Sequence, residues 1–314
     1  MPGVNSKEWR LIEKMVSGLS VEHRRSRRWG IFFKSLTFIY LFALLYMVVD
    51  SNWSEQVVSD EPHTALVDIS GAIAADTEAN ADSIVHGLRE AFEDDNTRGV
   101  ILRINSPGGS PVQSGYVYDE IKRLQQLYPD TKVYSVIGDI GASGGYYIAA
   151  AADEIYADKA SLVGSIGVIS SSFGFVGVLE KLGVERRLMT AGEHKAFLDP
   201  FTPLKQSEEE FWKGVLNTTH QQFIDQVKKG RGDRLKTSDE LFSGLIWSGE
   251  QALELGLIDG LGSAGYVARE VIGEENIVNF TLSRSPWEKF AERMGVTFAK
   301  TISTELGLSA PIVR

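Results

Sequence analysis

The sequence predicts an α/β fold: a parallel βαβ core preceded by one N-terminal transmembrane helix. Three observations carry this. Short β-branched runs alternate with helical patterns between Thr64 and Ala157. Two glycine-rich loops follow strands, one β-α unit apart. A 21-residue apolar stretch, Trp29 to Val49, lies directly behind an arginine cluster.

That apolar stretch is the first element. At 1.5 Å per residue it spans roughly 30 Å, one hydrocarbon core. Arg24, Arg25, Arg27 and Arg28 precede it, and Lys34 sits close enough to snorkel. No further Lys or Arg occurs until Arg89. The positive-inside rule therefore puts residues 1–28 in the cytoplasm and the rest across the membrane. A cleaved signal peptide would have an unusually long basic region and an A-x-A site after Val49, which is missing. Residues 50–63 read as a polar tether.

The core elements follow in order. Thr64–Ile73 is a strand. Ala81–Asp94 is a helix with Ile84, Val85, Leu88, Ala91 and Phe92 on one face, and Gly99–Asn105 is a strand. Pro111–Tyr128 is a helix with Tyr116, Val117, Ile121, Leu124 and Leu127 inward. Lys132–Ile137 is a strand, Ala142–Ala152 a helix, and Glu154–Ala157 and Glu185–Met189 are strands. Gln206–Lys228 is a long amphipathic helix, residues 229–234 a solvated basic turn, Gly249–Leu257 a short helix and Ile277–Leu282 a strand. Residues 283–314 form an amphipathic segment that packs on the core, on a neighbour or on the membrane surface.

Composition narrows the chemistry. The 314 residues carry a net charge of −10, against a general nucleic-acid binder. Without cysteine there is no disulfide, thiol nucleophile or thiolate metal site. The five histidines show no metal-binding spacing, so a zinc enzyme is not expected.

Two loops end strands where ligands bind in such sheets. In Gly141-Ala142-Ser143-Gly144-Gly145, Ser143 stands at a strand-to-helix bend. It reads either as a nucleophile or as the N-cap of an alanine-rich helix. In Asn105-Ser106-Pro107-Gly108-Gly109-Ser110, the paired glycines read either as a plain turn or as amides turned toward an oxyanion. A nucleophilic serine needs a base. His86 lies mid-helix, His220 reads as a surface position of the long helix, and His194 lies in a loop with Lys195. Lys195, followed by Ala196, Phe197 and Leu198, reads as a desolvated base or as an ordinary surface lysine.

Together these residues resemble the signal peptide peptidase A family of serine proteases, in its single-domain bacterial form. The resemblance covers Thr64 to Gly262. It rests on residues 105–109, 141–147, 163–168, 192–201, 244–249 and 256–259, in family order and spacing. The sequence departs at His194, where many members carry an aromatic residue. The resemblance implies a fold like the Clp protease subunit and the crotonases over residues 64–282. It implies Ser143 as nucleophile, Lys195 as general base, Gly109 and Gly144 as oxyanion amides, and Ser165 as the group orienting the lysine. It also implies that no metal or cofactor is required, that the substrates are peptides, cleaved signal peptides above all, and that the chain forms a homo-oligomeric ring whose dyad is shared between subunits. The location implied is the bacterial plasma membrane, single-pass, with the catalytic domain outside the cytoplasm. A crotonase-like acyl-CoA enzyme and a non-catalytic anchored scaffold are the alternatives.

Overall fold

The structure is a computed structural model that describes residues 27–46 and 61–282 except 237 and 239, together with Trp9 and Lys14. The expected anchor residues 47–49, most of the tether and the segment 283–314 lie outside the described residues. The chain divides into two units, Met1–Val57 with Arg284–Arg314, and Val58–Ser283.

In the first unit, α1 (Arg27–Tyr46) is a 20-residue helix long and apolar enough to cross a membrane, with none of its apolar window buried. Thr37 donates its hydroxyl to the Phe33 carbonyl 2.9 Å away, so that polar group is satisfied inside the helix.

The second unit is an α/β domain. Its elements run β1 (His63–Ser70), α2 (Ala81–Glu93), β2 (Thr97–Ser106), α3 (Pro111–Leu127), β3 (Val133–Ala142), α4 (Gly144–Ala149), β4 (Glu154–Ala157) and β5 (Leu162–Gly164). Then follow α5 (Val176–Leu182), α6 (Gln206–Arg231), β6 (Ile246–Ser248), α7 (Gly249–Glu254), β7 (Gly260–Leu261), α8 (Ala264–Tyr266) and β8 (Ile277–Asn279). The sheet order is β6-β5-β3-β2-β1-β8, with β4 between β3 and β7. Every pairing is parallel except β5 with β6.

One strand positions the site. The first half of β3 pairs with β4, Tyr134 to Ile137 against Glu154 to Ala157. Its second half pairs with β5, Ile140 to Ala142 against Leu162 to Gly164. The strand changes partner across Gly138 and Asp139 and so delivers Ser143 beside the residues that follow β5. One face of the sheet carries the main core, with Ile84, Leu88, Val117, Ile121, Ile148 and Val227 among its members. The other carries a smaller cluster around Leu66, Ile101, Tyr134, Val136 and Val267.

Several expectations are corrected. On α3, Tyr116 and Leu127 are exposed, while Tyr118 and Glu120 are buried. Glu120 sits between Arg89 and Arg123, 2.6 and 2.7 Å away. The Arg123 hydrogen bond, with Arg89 adding to it, holds its carboxyl down at about 2. Residues 185–189 form no strand; they are exposed and irregular. His63 is no tether residue but the buried start of β1, stacked on Phe280 at 5.6 Å.

The basic turn is the largest revision. Helix α6 continues through Arg231, which is 1% exposed. Its guanidinium donates to both Asp259 carboxylate oxygens, at 2.6 and 2.9 Å, and to the Gly256 carbonyl at 3.0 Å. Asp259 also accepts from the Ile155 amide at 2.7 Å, so the pair ties the end of α6 to β4. Burial alone would raise the Asp259 carboxyl; the Arg231 hydrogen bonds and charge outweigh it and hold it low. One residue earlier, Gly230 lies against the end of α4: a Cβ there would stand 1.8 Å from the Ala150 carbonyl oxygen.

Two predictions follow from this junction. Gly230→Ala should lower stability by about 1–3 kcal/mol in urea unfolding, because the backbone collision outweighs a helix-propensity gain of about 1 kcal/mol. Arg231→Met should cost up to about 3–5 kcal/mol at neutral pH, because half-buried Asp259 then keeps only Arg234, 3.3 Å away, as a charged partner. A depressed carboxylate stabilises above its unfolded pKa and loses that contribution as pH falls. The gap between wild type and Arg231→Met should therefore narrow below about pH 4, read by unfolding at a series of pH values.

Candidate active site

The site is built where two backbone turns meet without side chains between them. Ser143 follows the last residue of β3 with φ 50 and ψ −122, a left-handed-side conformation rare for a non-glycine residue. Such a residue costs on the order of 1–3 kcal/mol and persists only where its surroundings fix it. Here its N–H donates to the Gly164 carbonyl at 2.8 Å, and its carbonyl accepts from the Tyr147 amide at 2.9 Å. The side chain makes no capping hydrogen bond. The N-cap reading therefore fails in its physical content: Ser143 occupies the cap position, but its hydroxyl is not used there.

The Ser106–Ser110 loop lies over this turn. A Cβ on Gly108 (φ 98) would stand 2.6 Å from the Gly144 nitrogen and 2.7 Å from the Ser143 Cβ. A Cβ on Gly109 would stand 2.1 Å from the Ile73 carbonyl oxygen. Only glycine fits at either position. Ile73 straps the loop, donating to the Gly108 carbonyl at 2.9 Å and accepting from the Ser110 amide at 2.7 Å. A Cβ placed on Gly144 would lie 3.2 Å from the Gly109 nitrogen, so the backbones of these two residues run close together. Gly144 opens α4, where an N–H has no acceptor within the helix.

Gly109, Ser143 and Gly144 line one pocket with Pro111, Tyr147, Val168, Thr219 and Phe223. Its outer wall is thus mostly apolar. Tyr147 packs on Phe223 at 5.1 Å and on Tyr118 at 5.5 Å. Burial pushes both phenols up, Tyr118 to about 12, so neither gains or loses a proton near neutral pH. The contributions of Val168, Thr219 and Phe223 are absent from the sequence reading. The spacing of Thr219, Phe223 and Val227 along α6 was the available signal, since Phe223 and Val227 form its buried stripe.

Ser165 stands beside the nucleophile, one residue after the carbonyl that clamps it. It too has a positive φ, 51, and its N–H donates to the Leu245 carbonyl at 2.8 Å. Lys195 is elsewhere. It lies exposed in a turn, its amide 3.2 Å from the Gly192 carbonyl, and it does not line the Ser143 pocket. The structure of the single chain thus brings Gly109, Ser143 and Gly144 into one pocket, sets the Ser165 backbone next to Ser143 through the Gly164 carbonyl but outside the pocket lining, and leaves Lys195 apart.

The lysine segment is nevertheless held. Arg186 pairs with Asp199, which keeps that carboxyl low, and stacks over Phe201 at 4.9 Å. Phe197 packs on Phe211 and Trp212 at 5.5 and 6.0 Å, and the Leu198 amide donates to Glu208 at 3.2 Å. These anchors sit on the N-terminal half of α6. The pocket residues Thr219 and Phe223 sit about 7–15 residues beyond Glu208, Phe211 and Trp212, roughly 10–22 Å at the helical rise.

No described histidine lines the pocket. His86 and His194 are exposed. His220 is not a free surface residue as expected but is half-buried, its Nε2 3.0 Å from the Ile166 carbonyl oxygen. No group of three or more metal-ligating side chains occurs among the described residues.

Comparison with known proteins places the chain in a family. The sequence profile of peptidase family S49 matches residues 126–277, a span containing Ser143, Ser165 and Lys195. The chain is 34% identical over 199 residues to a Synechocystis protein named as a protease, covering 63% of this chain and 69% of that one. It is 34% identical over 183 residues to an Enterococcus faecium protein named as a signal peptide peptidase SppA, covering 58% of this chain and 53% of that one. It is also 48% identical over 188 residues to a Brucella abortus protein named Na(+)/H(+) antiporter NhaA. That match covers 60% of this chain but spans only a quarter of the Brucella protein, whose name describes it as a whole. The parallel-dominant sheet with flanking helices fits the Clp-protease-like architecture expected of such a peptidase. The chain belongs to peptidase family S49, among the proteases of the signal peptide peptidase A type.

Proposed function

We propose that this peptidase is a membrane-anchored serine endopeptidase whose nucleophile is Ser143 and whose general base is Lys195 from a neighbouring copy of the chain. The observation that carries the reading is the Ser143 turn. Its hydroxyl is unused by the helix it precedes and faces a pocket bounded by Gly109 and Gly144.

The chemistry follows from those positions. Neutral Lys195 takes the Ser143 hydroxyl proton, and Ser143 Oγ attacks the peptide carbonyl carbon. The Gly109 and Gly144 amides donate to the oxyanion that forms. Lys195 returns the proton to the leaving amine, and water then hydrolyses the acyl-enzyme. Ser165 orients the lysine amine. Burial is what lets a lysine serve as a neutral base, and insertion beside a neighbour's apolar pocket wall supplies it.

Two features support a base arriving from another copy. Lys195 is fastened to the half of α6 remote from its own serine pocket. The arm around it exposes large apolar side chains: Ile169 is 90% exposed, Phe173 81% and Met189 92%. Apolar surface exposed to this degree within one arm of the chain favours a covering partner. A closed ring of identical copies covers it and completes each site at once.

Anchoring by α1 with residues 1–28 in the cytoplasm would place the domain outside the cytoplasm, beside the membrane. Peptides released into or near that membrane, cleaved signal peptides among them, are the substrates this placement favours. The apolar pocket suits apolar side chains next to the scissile bond. Membership of a peptidase family speaks against the acyl-CoA alternative.

Ser143→Ala and Lys195→Ala should each lower cleavage of a fluorogenic peptide and of a synthetic signal peptide by about 10³-fold or more, with unchanged melting. Full activity in Ser143→Ala would mean another nucleophile, and a wild-type chain that cleaves neither peptide would leave the scaffold reading. Retained activity in Lys195→Ala would sink the dyad.

A further inference from the structure

His220 follows the pocket residue Thr219 on α6 but does not itself line the pocket. Its Nε2 is 3.0 Å from the Ile166 carbonyl oxygen. A carbonyl only accepts, so Nε2 carries the proton in this contact and donates it. Ile166 is fully buried in a loop that belongs to no helix or strand.

That loop has several tasks within five residues. Gly164 accepts the Ser143 N–H at 2.8 Å. Ser165 is held at φ 51 and donates to Leu245, while Gly167 donates back to Ser165 at 2.9 Å. Val168 forms part of the pocket wall. The loop therefore fixes the backbone of Ser143 from one side and shapes the pocket from another. The same helix that carries His220 also carries Thr219 and Phe223 into the lining of that pocket.

We propose that His220 is a positioning residue for the serine site. By donating Nε2–H to Ile166 it pins the Gly164–Val168 loop to α6, so that the Ser143 clamp, Ser165 and the pocket lining hold one spacing. It is not the base: the bonded nitrogen is committed to a buried carbonyl, and the ring is outside the pocket. The proposal rests on the serine-peptidase reading above.

The test uses the full chain in detergent, with His220→Leu, which keeps bulk without a donor, and His220→Gln, which keeps an amide donor. Peptide kinetics and the rate of Ser143 labelling by a fluorophosphonate are measured. His220→Leu should lower kcat and the labelling rate by about 10–100-fold with KM within about threefold, and His220→Gln should recover to within about threefold of wild type. Near wild-type rates in His220→Leu would overturn the proposal. So would a loss confined to KM, or equal impairment of both variants. Unfolding of both would mark His220 as a core support and overturn it as well. A wild-type chain that neither cleaves peptide nor labels at Ser143 would instead sink the serine-peptidase reading itself.

Discussion

The constraint on which the rest depends is a contact with no room for a side chain. The Ser106–Ser110 loop crosses the Ser143 turn so closely that a Cβ on Gly108 would overlap the Gly144 nitrogen. Everything nearby serves that crossing. Strand β3 leaves β4 for β5 so that Ser143 reaches it, Ile73 straps the outer loop, and Gly164 holds the strained serine amide. The result is a hydroxyl with no structural task beside amides that opened loops leave available. Stability is spent locally on φ 50 at Ser143 and φ 51 at Ser165 and is recovered in the surrounding backbone hydrogen bonds.

The core and the glycine loops were legible in the sequence because their signals are local. β-branched runs marked β1, β2, β4 and the first half of β3, and the paired glycines marked both loops; the second half of β3, Gly138–Ala142, escaped because its glycines read as a turn. What escaped depends on contacts distant in sequence. Tyr116 and Leu127 are apolar but exposed on α3, while Glu120, buried between two arginines, occupies a position that composition assigns to solvent. Arg231 looked like part of a solvated basic turn because its partner, Asp259, lies 28 residues away. Residues 185–189 carry a strand-like pattern, yet no neighbouring strand pairs with them in one chain. Whether a serine caps a helix or merely precedes it is a matter of side-chain geometry, which spacing does not encode.

The lysine segment has a different character from the core. It is fixed by Arg186–Asp199 and by Phe197 against Phe211 and Trp212, while Ile169, Phe173 and Met189 in the stretch before it remain open to solvent. An ordered arm with uncovered apolar side chains is suited to docking rather than to folding back. In the reading proposed here, α6 joins two half-sites: its first half presents the lysine segment outward, and its second half walls the serine pocket of the same chain. Assembly and catalysis then depend on one helix, and an isolated copy would have a nucleophile without a base.

The most direct measurement of that claim is co-expression of Ser143→Ala with Lys195→Ala, each inactive alone, followed by peptide-cleavage assay of the mixed assembly. A dyad shared between copies predicts recovery to about a quarter of wild-type activity per subunit, the statistical share of interfaces pairing an intact serine with an intact lysine. No recovery in assemblies verified to contain both variants would contradict it and return the base to the serine's own chain.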